Sequence, residues 1–257
     1  MRLLFVIFFS FSTLFMSGCW WEEEDKRESL SGGLTPKELF LQAKDLSEGG
    51  NLEESIKLYE KLSAAYPSSR YSHQAKLEIP YMLFKREKFD EAIDGLNNYI
   101  KIYPNHSSTP YAYYMRGLIS QSKTQSILDE LNITDNAERD TSSVIESFNY
   151  YLDLIRKFPN SEYSNFAEDQ LIVLRNTIAR HELLIAIFYT KTDAHIAAVN
   201  RSKYIIEKFP NTPSVPAALH LLAYNYDKIN ANDLAEDTRR VLKDSFPKYT
   251  PHYSLED

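Results

Sequence analysis

An all-α fold built of helical hairpins is what this sequence predicts, and three observations carry the prediction. Five aromatic-proline dipeptides, Tyr66-Pro67, Tyr103-Pro104, Phe158-Pro159, Phe209-Pro210 and Phe246-Pro247, punctuate the chain at spacings of 37, 55, 51 and 37 residues. Around each proline a pattern repeats: a small residue stands twelve positions earlier (Ser55, Ala92, Ser147, Ala198, Ala235) and an apolar or aromatic one five earlier (Leu62, Tyr99, Leu154, Ile205, Leu242). Glycine, the most permissive turn residue, is absent from the 140 residues after Gly117, which argues for helices with short polar connections.

The chain opens with Met1-Arg2 and the uncharged run LLFVIFFSFSTLFM. At 14 residues it falls short of the roughly 20 a membrane-spanning helix needs and has the length and charge pattern of a signal-peptide core. The only cysteine follows in Met16-Ser17-Gly18-Cys19. That sequence resembles the lipobox of bacterial lipoproteins, with Met16 where Leu is usual. The resemblance implies cleavage of residues 1–18 and an N-palmitoyl, S-diacylglycerol Cys19, several acyl chains making a stable anchor. An ordinary secretory signal with an accidental cysteine is the competing reading. Trp20 in place of Asp resembles the default outer-membrane sorting of Gram-negative lipoproteins, and Trp20 and Trp21 suit a membrane interface. Residues 19–34, with the polar run EEEDKRESLSGG, read as a flexible tether whose acidic cluster is a solubilising spacer.

Without residues 1–18 the chain carries 28 Lys and Arg against 36 Asp and Glu, a net charge of −8. A surface so acidic excludes a nucleic-acid binder, and one cysteine excludes an internal disulfide framework. Packing must therefore hold the fold.

The hairpins can be read in order. Thr35-Pro36-Lys37-Glu38 combines an N-cap, a proline in the first helical turn and a capping-box Glu, and Gly49-Gly50-Asn51 makes the turn. In LEESIKLYEKLSAAYP, Ile56, Tyr59, Leu62 and Tyr66 form one helical face until Pro67 stops the helix. Helix, turn, helix and proline at about 37 residues resembles the tetratricopeptide repeat, matched in the first unit by Ala43, Ser55, Tyr59 and Pro67. Leu39 and Ala43 replace its early Trp and Gly, and Pro80 stands where the second unit should have a small residue. The resemblance implies a right-handed superhelical solenoid of five hairpins over 35–250, approximately 35–70, 71–107, 108–161, 162–212 and 213–250, with a tail at 251–257. Of the two long intervals, residues 122–140 read as an insertion loop, partly helical. YSNFAEDQLIVLRNTIARHELLIAIFYTK reads as one long helix with an apolar stripe through Phe166, Leu171, Leu174, Ile178, Leu183 and Ile187.

No signature of chemistry appears. The six histidines are scattered, His181-Glu182 lacks the second His of a zincin helix, and there is no nucleophile elbow or phosphate loop. The expectation is a protein that is not an enzyme and holds neither metal nor cofactor. The aromatic load, 18 Tyr and 14 Phe, points instead to a peptide groove lined by the first helix of each hairpin. In that register the lining is Phe40, Lys44, Leu77, Tyr81, Phe84, Tyr111, Tyr114 and Met115. The alternative is that most of these are inter-helix core.

The lipobox, the short tether, the five repeats with two long intervals, and the wording FPNSEY, RHELLIAIFYTK and AAVNRSKYIIEKFPNT together resemble the BamD (ComL) family of outer-membrane lipoproteins of the β-barrel assembly machinery. The resemblance implies that the C-terminal repeats dock a periplasmic domain of BamA beside the Arg of the V-N-R segment, here Arg201. It further implies that the N-terminal repeats contact the targeting signal of unfolded outer-membrane proteins and bind BamC. The other reading is a lipoprotein of the same architecture that coordinates peptidoglycan or division proteins.

Overall fold

The computed structural model describes residues 33–130 and 141–253, with 124–130 described as backbone only; among the described residues it holds ten α-helices and no strand. They are α1 (Pro36–Glu48), α2 (Leu52–Ala65), α3 (Arg70–Lys85), α4 (Phe89–Ile102), α5 (Thr109–Glu130), α6 (Ser142–Lys157), α7 (Glu162–Lys191), α8 (His195–Lys208), α9 (Val215–Lys228) and α10 (Asn232–Ser245). The signal segment, Cys19 and most of the tether lie outside the described residues, as do the end of the insertion and the last four positions. The chain divides into two compact units, Met1–Arg86 and Glu87–Asp257, each with its own core.

In the first unit α1 begins as its sequence dictates. Glu38 accepts from the Thr35 N–H at 2.8 Å, and its own N–H donates to Thr35 Oγ1 at 3.3 Å. The Thr35 backbone N–H, and then its hydroxyl, hold the Glu38 carboxyl below its ordinary pKa. Gly50, at φ +83°, turns the chain where a side chain would be strained. Helices α1, α2 and α3 then close over Leu39, Phe40, Ala43, Ile56, Tyr59, Leu62, Ala75 and Met82.

The proline pattern becomes geometry at every repeat. The aromatic before each proline is the C-cap residue, at φ between −123° and −134°, and its N–H donates to the carbonyl four residues back at 2.8–2.9 Å. The five small residues twelve positions before proline have no accessible surface, so the facing helix lies directly on them. Where that residue is serine its hydroxyl bonds to the facing backbone: Ser55 Oγ donates to the Ala43 carbonyl at 2.5 Å and Ser147 Oγ to that of Gly117 at 2.8 Å. A further periodic element escaped the hydrophobic reading. Ser72, Thr109 and Ser164, six residues after Tyr66, Tyr103 and Phe158, are wholly buried and donate to the carbonyls of those aromatics. Each ties the proline loop to the helix that follows.

In the second unit consecutive helices from α4 to α10 pack side by side. The expected long helix is present as α7, whose 30 residues span about 45 Å. Its first half supplies Ala167, Leu174 and Ile178 to a core shared with Tyr113, Val144, Tyr151 and Leu154, and its second half packs on α8 and α9. One expectation is sharpened and one corrected. The helical part of the insertion includes residues 122–130: α5 runs to Glu130, because SKTQSILDE contains good helix formers and no breaker. Phe166 does not join the buried stripe but stands 57 % exposed on the outer side of α7, while Ser164 and Ala167 beside it are wholly buried.

Eleven, eight and four residues before proline, the second helices carry Ile56, Tyr59, Ser63; Ile93, Leu96, Ile100; Phe148, Tyr151, Ile155; and Val199, Ser202, Ile206. At the same positions α10 carries the exposed Glu236, Arg239 and Lys243, the polar face expected of a capping repeat.

Candidate partner-binding surfaces

Arg201 lies in the middle of α8 and reaches across to α7. Its Nη1 donates to Glu182 Oε2 at 2.5 Å, and its Cζ lies 5.9 Å from the Tyr204 ring centroid. The guanidinium side chain is 35 % exposed and the Glu182 side chain only 14 %, so the carboxylate sits inside the hairpin while the cation keeps a solvent-facing edge. On the neighbouring face of α8, Ile196, Asn200 and Tyr204 follow one another at helical spacing, all exposed, Ile196 to 67 %. On α10 the exposed Leu234 and Val241 share a face in the same way. Ile196 and Tyr204 thus give this face of α8 an apolar edge beside the Arg201 guanidinium.

Beneath that surface a polar network fixes α7, α8 and α9. Asn225, wholly buried, donates from Nδ2 to Thr190 Oγ1 and to the Leu221 carbonyl, both at 2.8 Å. Its Oδ1 is therefore the acceptor, and His195 Nδ1, 2.8 Å away, is the donor. Thr190 Oγ1 completes the chain by donating to the Ala186 carbonyl at 2.9 Å. A buried amide with all its groups satisfied rigidifies the helices that carry Glu182 and Arg201. Sequence reasoning missed Asn225, since only the fold brings Thr190, His195 and Asn225 together.

The predicted groove residues separate into three classes. Phe40, Leu77 and Met115 are buried core residues, which corrects their assignment to an open groove. Phe40 shows why: its ring lies 5.3 Å from that of Tyr59 and 5.6 Å from that of Tyr71, filling the space between successive helices. Lys44 is exposed and pairs with Glu48 at 3.7 Å. Tyr81 and Phe84 are half-buried, with the Lys85 ammonium 4.8 Å from the Tyr81 ring centroid. In the second unit Tyr111 and Tyr114 do come together. Their rings lie 5.6 and 5.7 Å from that of Tyr163, and Tyr114 is also 6.3 Å from Phe166. This four-ring cluster includes Tyr163 and Phe166, neither of which was read as groove from the sequence.

Arg116 lies between the rings of Tyr113 and Tyr150, 4.5 and 4.4 Å from their centroids, and its Nη1 donates to Asn97 at 2.8 Å. Burial lowers its pKa and, with the neighbouring Glu146, raises that of Tyr150 to about 12. Such a cation braces α4, α5 and α6. Among the described residues no group of three or more His, Cys, Asp or Glu is placed to hold a metal ion. Nor is any described helix long and apolar enough to cross a membrane.

Residues 33–242 match the YfiO family model, described as an outer membrane lipoprotein. The outer membrane protein assembly factor BamD of Neisseria gonorrhoeae is 34 % identical over 224 residues, covering 87 % of this chain and 84 % of that protein. Its counterpart in Xylella fastidiosa strain Temecula1 is 28 % identical over 236 residues, covering 92 % and 80 % respectively. A solved tetratricopeptide repeat protein from Parabacteroides merdae aligns at 14 % identity and a TM-score of 0.36 over 84 % of this chain and 80 % of its own, too distant a likeness to bear on fold or function.

Proposed function

This chain belongs to the YfiO family of outer membrane lipoproteins, and from that premise we propose that it works as a scaffold without catalytic chemistry. It is an outer membrane protein assembly factor of the BAM complex, acting in the insertion and folding of β-barrel proteins at the outer membrane. The lipidated Cys19 anchors it on the periplasmic face, and the tether lets the helical body reach away from the bilayer. The C-terminal hairpins dock the periplasmic part of BamA, with Arg201 at the contact. The N-terminal helices, through Lys44, Tyr81 and Phe84, and the Tyr111–Tyr114 cluster contact the targeting signal of unfolded barrel proteins, and accessory lipoproteins such as BamC bind the N-terminal region.

The observation that supports this docking reading is the exposed edge of Arg201 beside the exposed Ile196 and Tyr204, all on helices that a buried polar network holds still. A charged group on a rigid, partly apolar face is what a specific and stable partner needs. The test is affinity capture of the lipidated protein from mild-detergent envelope extracts, with partners identified by mass spectrometry. Recovery of a large outer-membrane barrel protein with periplasmic repeats is expected. Recovery of peptidoglycan or division proteins in its place overturns the reading, and membrane retention of a Cys19→Ala variant overturns the anchor.

A further inference from the structure

After α10 the chain does not leave the body. Tyr249 lies with its ring 6.3 Å from that of His220 on α9, and Tyr253 with its ring 5.8 Å from the same imidazole. Tyr253 Oη stands 2.9 Å from His220 Nδ1 and donates to the Ala217 carbonyl at 3.2 Å. Burial shifts the phenol well above its ordinary pKa and lowers that of the imidazole.

The two residues touched by Tyr253 hold a definite place in the repeat. His220 stands three residues, and Ala217 six, before the small residue Ala223; Tyr114 and Tyr111 stand three and six before Gly117, and Phe40 stands three before Ala43. In the first and third repeats these positions receive an aromatic from the first turn of the following repeat: Phe40 receives Tyr71, and Tyr111 and Tyr114 receive Tyr163. Tyr71 and Tyr163 lie four residues after Pro67 and Pro159; Tyr253 lies six after Pro247, in a segment that forms no helix. The tail thus inserts, as irregular chain, the ring that the first and third repeats take from the helix that follows them.

We propose that the face of α9 around Ala217 and His220 is a socket for a tyrosine-bearing polypeptide segment, and that residues 249–253 fill it in cis as a detachable cap. Another polypeptide docks there only after the tail leaves. The chemistry of the ligand follows from the lining: a flat ring to lie against the imidazole, and a phenolic hydroxyl to reach His220 Nδ1 and the Ala217 carbonyl. Among the described residues the tail's backbone is tied to the body by the Tyr249 N–H, which donates to the Phe246 carbonyl at 3.0 Å, so the Tyr253 side chain carries most of the attachment and the segment can open locally. A segment tethered this closely acts at an effective concentration on the order of millimolar. A separate peptide that meets the open socket with a Kd on the order of 100 µM would therefore be weakened about tenfold by the tail. This socket stands independently of the BamA docking reading.

The experiment compares detergent-solubilised full-length protein with a variant ending at Pro247, using fluorescence anisotropy of a labelled peptide of sequence PKYTPHY. The truncated protein should bind the peptide at least tenfold more tightly than the full chain, and the same peptide with its last Tyr changed to Ala should not bind. Equal binding to both proteins, or binding to neither, overturns the proposal. Thermal melts by circular dichroism report whether the truncated variant folds. If it does not, the full-length Tyr253→Ala variant replaces it, with the same outcomes required.

Discussion

The ion pair between Arg201 and Glu182 makes one substitution set unusually informative. Reversing the charge with Arg201→Glu sets two carboxylates against each other in a site where Glu182 is largely buried. Two unit charges about 4 Å apart at an effective dielectric constant of about 20 interact by roughly 4 kcal/mol, and the exposed edge of position 201 screens this to about 1–2 kcal/mol. With the lost hydrogen bond, roughly another 1 kcal/mol, the variant should melt about 4–12 °C lower. Loss of BamA binding by Arg201→Glu alone would therefore mix docking with folding. Glu182→Gln and Arg201→Ala separate them. Glu182→Gln keeps the shape and the guanidinium, so binding should persist with a melting point within a few degrees of wild type. Arg201→Ala should lower binding tenfold or more at similar stability. The exchanged pair Arg201→Glu with Glu182→Arg should recover the melting temperature without recovering binding. Co-purification of BamA and thermal melts are the two readouts. If Glu182→Gln loses binding as fully as Arg201→Ala, the arginine acts only by fixing the hairpin; if Arg201→Ala binds normally, the docking reading fails.

Three other substitutions test the packing. A Cβ on Gly117 would lie 2.5–2.7 Å from the buried Tyr151 ring, so Gly117→Ala should destabilise by about 1–3 kcal/mol despite alanine's better helix propensity, and a melting point at or above wild type would contradict this packing. Tyr151 buries a hydroxyl with no hydrogen-bond partner among the described residues, so Tyr151→Phe should be neutral or stabilising by up to about 1 kcal/mol in chemical denaturation, and a loss of about 2 kcal/mol would reveal a further partner. Asn225→Leu removes the donor to Thr190 and the acceptor for His195 together and should cost about 2–4 kcal/mol, read in the same way. Burial first, and then Arg239, hold His220 below its ordinary pKa, so the unfolded chain takes up a proton at a higher pH than the folded one. Stability should thus be full above about pH 6.5 and fall as the pH drops below it, and His220→Gln should remove that part of the slope.

What could be read in the sequence follows a physical division. Proline and the residues around it act locally, so the five helix ends, the capping box at Thr35 and the long α7 were all legible from spacing. The partly helical character of the insertion was legible in the same way, from the absence of a breaker in residues 122–130. Side-chain destination is a different matter, since it depends on what the next helix brings. Phe40 and Tyr114 hold the same position in the repeat, yet Phe40 is sealed by Tyr71 while Tyr114 stays half-open beside an exposed Phe166. The periodic hydroxyls Ser72, Thr109 and Ser164 stand at constant spacing, but an apolar periodicity does not include serine and threonine, and only the fold shows their bonds to the preceding aromatic carbonyls.

The same division bears on function. A hairpin repeat keeps its buried positions nearly constant and leaves its outer helices open to change, so the functional signal lies in departures from the pattern. On α10 the pattern departs twice: Glu236, Arg239 and Lys243 close the face on which another repeat would stack, while Leu234 and Val241 expose an apolar face that packing does not require. On α8 the inward positions obey the rule and the outward Ile196 and Tyr204 break it. Ile102 on α4 and Ile145 on α6 are exposed as well, but only in the last two hairpins does such a face lie over the polar network of Asn225 that holds the helices rigid. A scaffold that must hold one large partner while other segments come and go needs this distribution, a fixed polar-braced end carrying the apolar contacts and half-open aromatic junctions elsewhere.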